Sequence, residues 1–284
     1  MRCGMKTKAY GKVNLCLDVV EKRADGYHEL DSVMVPIEWH DDIEFTPTKE
    51  MSFTCTPNIR IRPENNSILK TIELLRSIYH FSENFHVHLT KRIPSQAGLG
   101  GGSSDAAAVI NWFDMTYGWN LSDQEKIDIG VKIGADVPFC LFRKPARVQG
   151  IGEKLRFFDV DLPMWIVLVQ PRRGVSTRQA FGSLQFDNLL HPETSLVEEA
   201  LHTDNYPLFL VSIGNSLEAS AIKMVPDIQQ LKQRLVRMGC DKAMMTGSGS
   251  VVMGFTQHEE IADKAVRSLK SAYRFVIKTK ILPK

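Results

Sequence analysis

The segment Gly98-Leu99-Gly100-Gly101-Gly102-Ser103-Ser104-Asp105 constrains this chain more than any other. Its four glycines let backbone N–H groups come close to a ligand, and the Ala106-Ala107-Ala108-Val109-Ile110 run behind them reads as a helix start. N–H groups at a helix N-terminus have no intrahelical acceptor and sit at the positive end of the dipole, so phosphate is the ligand this pattern predicts. Two familiar phosphate loops do not fit. A Walker A loop needs Gly-Lys-Ser/Thr where this chain has Gly102-Ser103-Ser104. A dinucleotide fingerprint needs a third glycine in place of Ser103 and a strand entering the loop directly, whereas a stretch containing Pro94 intervenes after Leu89.

Around this loop the periodicity predicts mixed α and β structure. Val13, Leu15, Leu17 and Val19 alternate with Lys12, Asn14, Cys16 and Asp18, which is a strand with Lys12 and Asn14 on one face. After the Asp25-Gly26 turn a second extended stretch runs from Tyr27 to Ile37, with Pro36 and His40-Asp41-Asp42 interrupting it. Ile68, Ile72, Leu75 and Tyr79 recur at helical spacing behind Asn66, a good N-cap; Phe85, Val87 and Leu89 mark a further strand. Ser122 and Glu125 form a capping box for a helix that ends near Gly134, leaving Asp136 at a helix-to-strand junction. The texture changes over 157–163, and Trp165 to Val169 starts a new buried strand. The boundary therefore falls near residue 160, giving domains 1–160 and 161–284. In the second domain, Ile228, Leu231, Leu235 and Met238 form an apolar stripe ended by Gly239. A Gly-rich strand pair, a helix with Ile261, Ala265 and Leu269, and a strand near Phe275 to Lys278 complete two helices on an antiparallel sheet.

Composition narrows the class. Of 284 residues, 43% are hydrophobic and 24% charged, which excludes disordered and collagen-like chains. The 35 basic and 33 acidic residues nearly cancel, so no dedicated nucleic-acid surface is expected. The cysteines at 3, 16, 55, 140 and 240 form no CxxC pair, and the apolar runs are far shorter than the roughly 20 residues of a membrane span. A cytoplasmic protein with reduced thiols is the reading. His86 and His88 share a strand face without a third ligand, which reads as a solvated face and not as a metal site.

The stretch PSQAGLGGGSSDAAA resembles the second motif of the GHMP small-molecule kinases, named for galactose, homoserine, mevalonate and phosphomevalonate. KAYGKVNLCLDVVEKRADGYHEL, GADVPFCLF, RVQGIGEKL, GVSTRQAF and MMTGSGSVVMGF resemble, in order, one branch of that family, in the non-mevalonate isoprenoid precursor pathway. The resemblance implies an α/β, two-domain GHMP kinase fold. The β-rich N-terminal domain would be of ribosomal-protein-S5-like type and the C-terminal one ferredoxin-like. It implies transfer of the ATP γ-phosphoryl group to the 2-hydroxyl of the methylerythritol part of a cytidine diphosphate ester, with Mg2+ arriving on ATP and no protein metal ligand assigned.

By the same resemblance, Asp136 matches the general base and Lys12 the strand lysine that orients it and offsets charge on the transferred group. Pro94, Gly98, Leu99, Gly100, Gly101, Gly102, Ser103 and Ser104 match the ATP loop. Asn66 matches a position near adenine and equally suits a helix cap. Asn14, Tyr27, His28, Thr177 and Arg178 match substrate positions: Asn14 for the acceptor, Tyr27 and His28 for cytidine. Asp105 suits either the helix dipole or a metal. Asn215 is followed by Ser216, where the family usually carries Asp. The chain is expected to work as a monomer or homodimer on small molecules, without membrane or nucleic acid. Two alternatives stand beside this: a GHMP kinase acting on another alcohol, and a non-catalytic anion- or RNA-binding module.

Overall fold

The computed structural model describes residues 5–58 and 62–283; Cys3 lies outside them. In chain order the elements are β1 (Met5–Lys22), β2 (His28–Thr48), β3 (Ser52–Thr56), α1 (Ser67–Tyr79), β4 (Asn84–Thr90), α2 (Gly101–Tyr117), α3 (Asp123–Ile133) and α4 (Val137–Phe142). They continue with β5 (Ala146–Gly150), β6 (Lys154–Phe157), β7 (Trp165–Val169), α5 (Thr177–Gly182), α6 (Thr194–His202), α7 (Tyr206–Ser212) and β8 (Gly214–Asn215). The last are α8 (Glu218–Met224), α9 (Asp227–Arg237), β9 (Lys242–Met245), β10 (Val252–Thr256), α10 (Glu259–Leu269) and β11 (Val276–Thr279). Among the described residues no helix is long and apolar enough to cross a membrane.

Packing divides the chain into two units that do not follow its linear order. The first comprises residues 5–11, 39–58, 62–93 and 100–143; the second comprises Lys12–Glu38, Pro94–Leu99 and 144–283. The long strands β1 and β2 pass through both.

In the first unit β4 pairs antiparallel with the end of β2 and parallel with β3. Alternate residues of β4 are buried, as its period-two pattern predicts. The core is aromatic: the Phe45 and Trp112 rings stack at 3.9 Å, with Phe85 and Phe113 edge-on to Trp112. Asn66 caps α1, its Oδ1 accepting from Ile68 N and Leu69 N, and the Ser122–Glu125 capping box opens α3. His86 and His88 bond the hydroxyls of Ser52 and Thr54 on β3.

Two expectations are corrected. Strand β2 is not interrupted at Pro36 or at 40–42. Pro36 falls between the ladder to β5, at Leu30–Met34, and the ladder to β4, at Asp42–Thr48, so its missing N–H costs no bond in either. Asp41 stays within the strand because its Oδ1 accepts the N–H groups of Arg92 and Ile93. Asp136 stands between two helices and not before a strand. Pro138 lies in the first turn of α4, where its missing N–H would have had no partner, so the proline that suggested an extended segment instead starts a helix.

In the second unit β5 pairs with the first half of β2 and with β6, and β8 pairs parallel with β1. A separate antiparallel sheet runs in the order β11-β7-β10-β9. With α9 before β9 and α10 between β10 and β11, this is the βαββαβ ferredoxin-like arrangement. Of the predicted stripes, Ile228, Leu231 and Leu235 of α9 and Ala265 and Leu269 of α10 are buried in one core with Val167, Val169 and Val252, while Met238 and Ile261 pack against it partly buried.

Candidate active site

Each unit carries part of the predicted site. In the first, Gly100 has φ 67°, a left-handed conformation that costs glycine nothing, and it turns the chain into α2. Ser104 N donates to Gly100 O at 2.8 Å, the first helical bond, which leaves the N–H groups of Gly101, Gly102 and Ser103 without intrahelical acceptors. A Cβ on Gly102 would meet only Ser67, at 3.5 Å, so this backbone faces open space beside the start of α1 and the buried Asn66. A Cβ on Gly101 would sit 2.9 Å from Ile93 Cγ2 and 3.0 Å from Lys91 Nζ. The loop is thus open at one glycine and tightly packed at its neighbour.

The serines diverge. Ser104 is buried, its hydroxyl 3.4 Å from Cys140 Sγ, whereas Ser103 Oγ lies near Gly134, two residues before Asp136. Asp136 opens α4 yet makes no side-chain capping bond to it. Asp105 neither caps nor stands alone. Its Oδ2 accepts from Lys91 Nζ at 2.6 Å, and the same ammonium donates to Asp41 Oδ2 at 2.7 Å. No periodicity signals this triad, because its members are scattered over 41, 91 and 105.

In the second unit the predicted pair on β1 is joined: Lys12 Nζ donates to Asn14 Oδ1 at 2.8 Å, and Asn14 Nδ2 donates to Ser32 Oγ at 2.8 Å. Both side chains are only 3% exposed. Lys12 N donates to Leu99 O at 3.0 Å, fixing the lysine's backbone next to the glycine segment. Asn14 N donates to Thr246 Oγ1 at 2.9 Å. Gly98 has φ 77°, and a Cβ there would lie 2.2 Å from Thr246 O, so the loop at 246–250 packs directly on the glycine segment. Thr177 Oγ1 is 2.8 Å from Ser248 Oγ, and a Cβ on Gly174 would touch Gln96, which brings the start of α5 to both loops. Arg178 is exposed on α5, and Pro94 begins this unit's share of the loop.

Tyr27 is 59% exposed, its N–H held by Asp25 Oδ1 at 3.0 Å. The His28 ring lies 5.0 Å from that of Phe181 and stacks at 6.1 Å on Phe186. Burial, with nearby Lys22, pushes the His28 pKa down, so at neutral pH the ring is uncharged and offers one donor and one acceptor. Sequence reasoning missed Phe181, Phe186 and Thr246. Phe181 and Thr246 stand inside segments already singled out, where only their neighbours drew notice.

Residues 66–144 match the GHMP kinases N terminal domain family, and residues 194–274 match the GHMP kinases C terminal family. The chain is 34% identical over 277 residues to 4-diphosphocytidyl-2-C-methyl-D-erythritol kinase of Geobacillus sp. (strain WCH70), covering 97% of this chain and 96% of the relative. A crystal structure of 4-(cytidine 5'-diphospho)-2C-methyl-D-erythritol kinase superposes with a TM-score of 0.83 and 28% identity, covering 99% of this chain and 100% of the other. A homoserine kinase from Cytophaga hutchinsonii shares the fold at 14% identity, with a TM-score of 0.73 and coverage of 97% and 95%.

With both GHMP kinase families matched along it, this chain is a GHMP kinase, an ATP-dependent kinase of small molecules. Within that class, the chain belongs to the 4-diphosphocytidyl-2-C-methyl-D-erythritol kinase family.

The glycine contacts give a direct prediction. Gly98→Ala will lower the unfolding midpoint, because a left-handed alanine costs about 1–3 kcal/mol and its methyl overlaps Thr246 O. Gly102→Ala will leave the midpoint unchanged or higher, since the position is helical and open, yet raise KM for ATP by crowding the phosphate side. Thermal melts and ATP titrations of the two variants check this. A Gly102→Ala enzyme with wild-type KM would remove phosphate from that face.

Proposed function

We propose that this protein phosphorylates the 2-hydroxyl of 4-diphosphocytidyl-2-C-methyl-D-erythritol with ATP in the non-mevalonate isoprenoid precursor pathway. The observation that carries the reading is the Lys12–Asn14 pair. Two polar side chains, each 3% exposed, are hydrogen-bonded to one another on a strand whose backbone is tied to Leu99 and Thr246 beside the glycine segment. An ammonium held at this depth beside a buried amide suits the neutralisation of charge on a transferring phosphoryl group.

In the proposed mechanism the open N–H groups of Gly101, Gly102 and Ser103 cradle ATP phosphate, with Pro94, Gly98, Leu99, Gly100, Ser104 and Asn66 completing the nucleotide positions. Ser104 contributes by closing the first turn of α2, its N–H bonded to Gly100 O and its hydroxyl turned to Cys140. Asp136 accepts the proton of the acceptor hydroxyl. Lys12 stabilises negative charge on the transferred group, and Asn14 holds the acceptor. Tyr27 supplies a ring face to cytosine and neutral His28 its polar contacts, while Thr177 and Arg178 line the substrate. Phosphoryl transfer asks mainly for this positioning and charge neutralisation. Among the described residues no group of three His, Cys, Asp or Glu side chains converges as a protein metal site would require. Mg2+ is proposed as the counter-ion of the ATP phosphates, and no step is assigned to it. We further propose 1–160 and 161–284 as the two domains of a cytoplasmic monomer or homodimer.

Purified protein given ATP and, separately, the cytidine diphosphate ester, homoserine, mevalonate or galactose is expected to release ADP rapidly with the first alone. CDP should compete with that substrate and UDP should not. Turnover of another alcohol at equal or higher kcat/KM would overturn the substrate, and equal competition by UDP would remove Tyr27 and His28 from base recognition.

A further inference from the structure

Asn215 is 2% exposed and uses its whole amide. Its Nδ2 donates to Met245 O and Gly247 O, both at 2.9 Å, and its Oδ1 accepts from Leu217 N at 2.9 Å. Glu218, on the adjacent turn, accepts from Met245 N at 3.1 Å and is itself bonded by Lys232. The carbonyls flanking Thr246 are thereby fixed from one side. On the other side, Thr246 Oγ1 receives Asn14 N, Thr246 O abuts Gly98, and a Cβ on Gly247 would meet Gly98 O at 3.0 Å and Asn14 Oδ1 at 3.3 Å. A shift of Gly247 therefore moves both the glycine segment and the asparagine beside Lys12. Asn215 is also the register partner of Leu17 on β1, so it is anchored to the strand that carries Lys12 and Asn14.

We infer that Asn215 is a positioning residue of the kinase: by holding Met245 O and Gly247 O it sets the loop at 246–250, and through that loop the placement of Gly98 and Asn14. The role in turnover rests on the kinase reading above. Neighbouring Ser216 is the natural contrast. It is equally buried, but its hydroxyl accepts from Val19 N and lies 2.6 Å from Leu190 O and 3.0 Å from Asp18 Oδ1, away from the loop. The departure at position 216 thus falls on strand anchoring, and the loop brace at 215 is kept.

Asn215→Ala is expected to lower kcat about tenfold or more and to raise KM for ATP, since small misplacements of positioning groups cost up to about 10²-fold. Ser216→Ala should lower the melting midpoint with kcat unchanged. Amide exchange across 246–251 should quicken in Asn215→Ala and stay at the wild-type rate in Ser216→Ala. In a double-mutant cycle with Thr246→Val, the losses in kcat should be less than additive, because both act through one link. If Asn215→Ala does not fold, Asn215→Ser replaces it, since serine can still accept from Leu217 N but cannot donate to both carbonyls. Wild-type kcat and KM in the Asn215 variant, unchanged exchange at 246–251, or full additivity with Thr246→Val would each overturn the proposal. Inactivity of the wild type on the cytidine ester would instead overturn the substrate reading, leaving the exchange measurement to judge Asn215.

Discussion

Asp136→Asn is expected to lower kcat by about 10²–10⁴-fold, the usual contribution of a positioned general base, with ATP binding and the unfolding midpoint near wild type. The substitution keeps the shape of the side chain and removes its ability to take a proton. Folding should tolerate it because the carboxylate makes no capping bond to α4, whose first turn holds Cys140 N on Asp136 O, a backbone bond that Asn preserves. Steady-state rates with ADP detection, nucleotide titration and thermal melting together check the expectation. A kcat within a few-fold of wild type would remove Asp136 from proton transfer and leave it at most an orienting role.

Breaking the Asp41–Lys91–Asp105 triad should have the largest effect on stability. Asp41 and Asp105 are 0% and 3% exposed, and one ammonium serves both. Lys91→Met leaves two buried carboxylates facing each other, a change that typically costs about 3–5 kcal/mol. The wild type already shows the strain of sharing. Asp41 accepts two backbone N–H groups as well as Lys91. Asp105 has one buried oxygen without a hydrogen-bond partner; burial, against the pull of Lys91, pushes its pKa up to about 7.

The sign of the pH dependence follows. A carboxyl that ionises near 3.8 when unfolded and near 7 when folded binds more protons in the native state between those values. Its contribution to stability therefore declines as pH rises from about 4 to 7 and levels off above. Lys91 is shifted upward by the two carboxylates despite its burial, so its own contribution is complete below 10.5 and fades only at more alkaline pH. Denaturant unfolding at pH 5, 6, 7 and 8 should show a decline that Asp105→Asn flattens and Lys91→Met steepens. Equal slopes in wild type and Asp105→Asn would show that Asp105 is ionised throughout. Since Lys91 Nζ also lies where a Gly101 methyl would intrude, loosening the triad is expected to disturb the phosphate loop as well as the core.

Much of the site was legible because its parts are local. The glycine run, the Lys12-Asn14 alternation and the Asn66 and Ser122 caps each depend on residues a few positions apart, and each formed as read. Pro36 and Pro138 misled the reading of boundaries, since a proline breaks an element only where its N–H is needed. The neighbouring ladders in one case, and the place in the helical turn in the other, decide that need.

By itself the sequence determined the glycine-rich helix start, the strand face bearing Lys12 and Asn14, the βαββαβ order of the second half, and the family these patterns identify. Tertiary structure alone decided that Asn215 braces the loop beside Gly98, that Phe181 and Phe186 gather at His28, and that Lys91 is shared by Asp41 and Asp105. The physical reason is range. Backbone preference and side-chain period act over one or two turns and leave their mark in adjacent letters. A buried amide or carboxylate is satisfied by whatever the folded chain brings within 3 Å, across separations of 14 to 50 residues in these cases, where no local pattern records the choice.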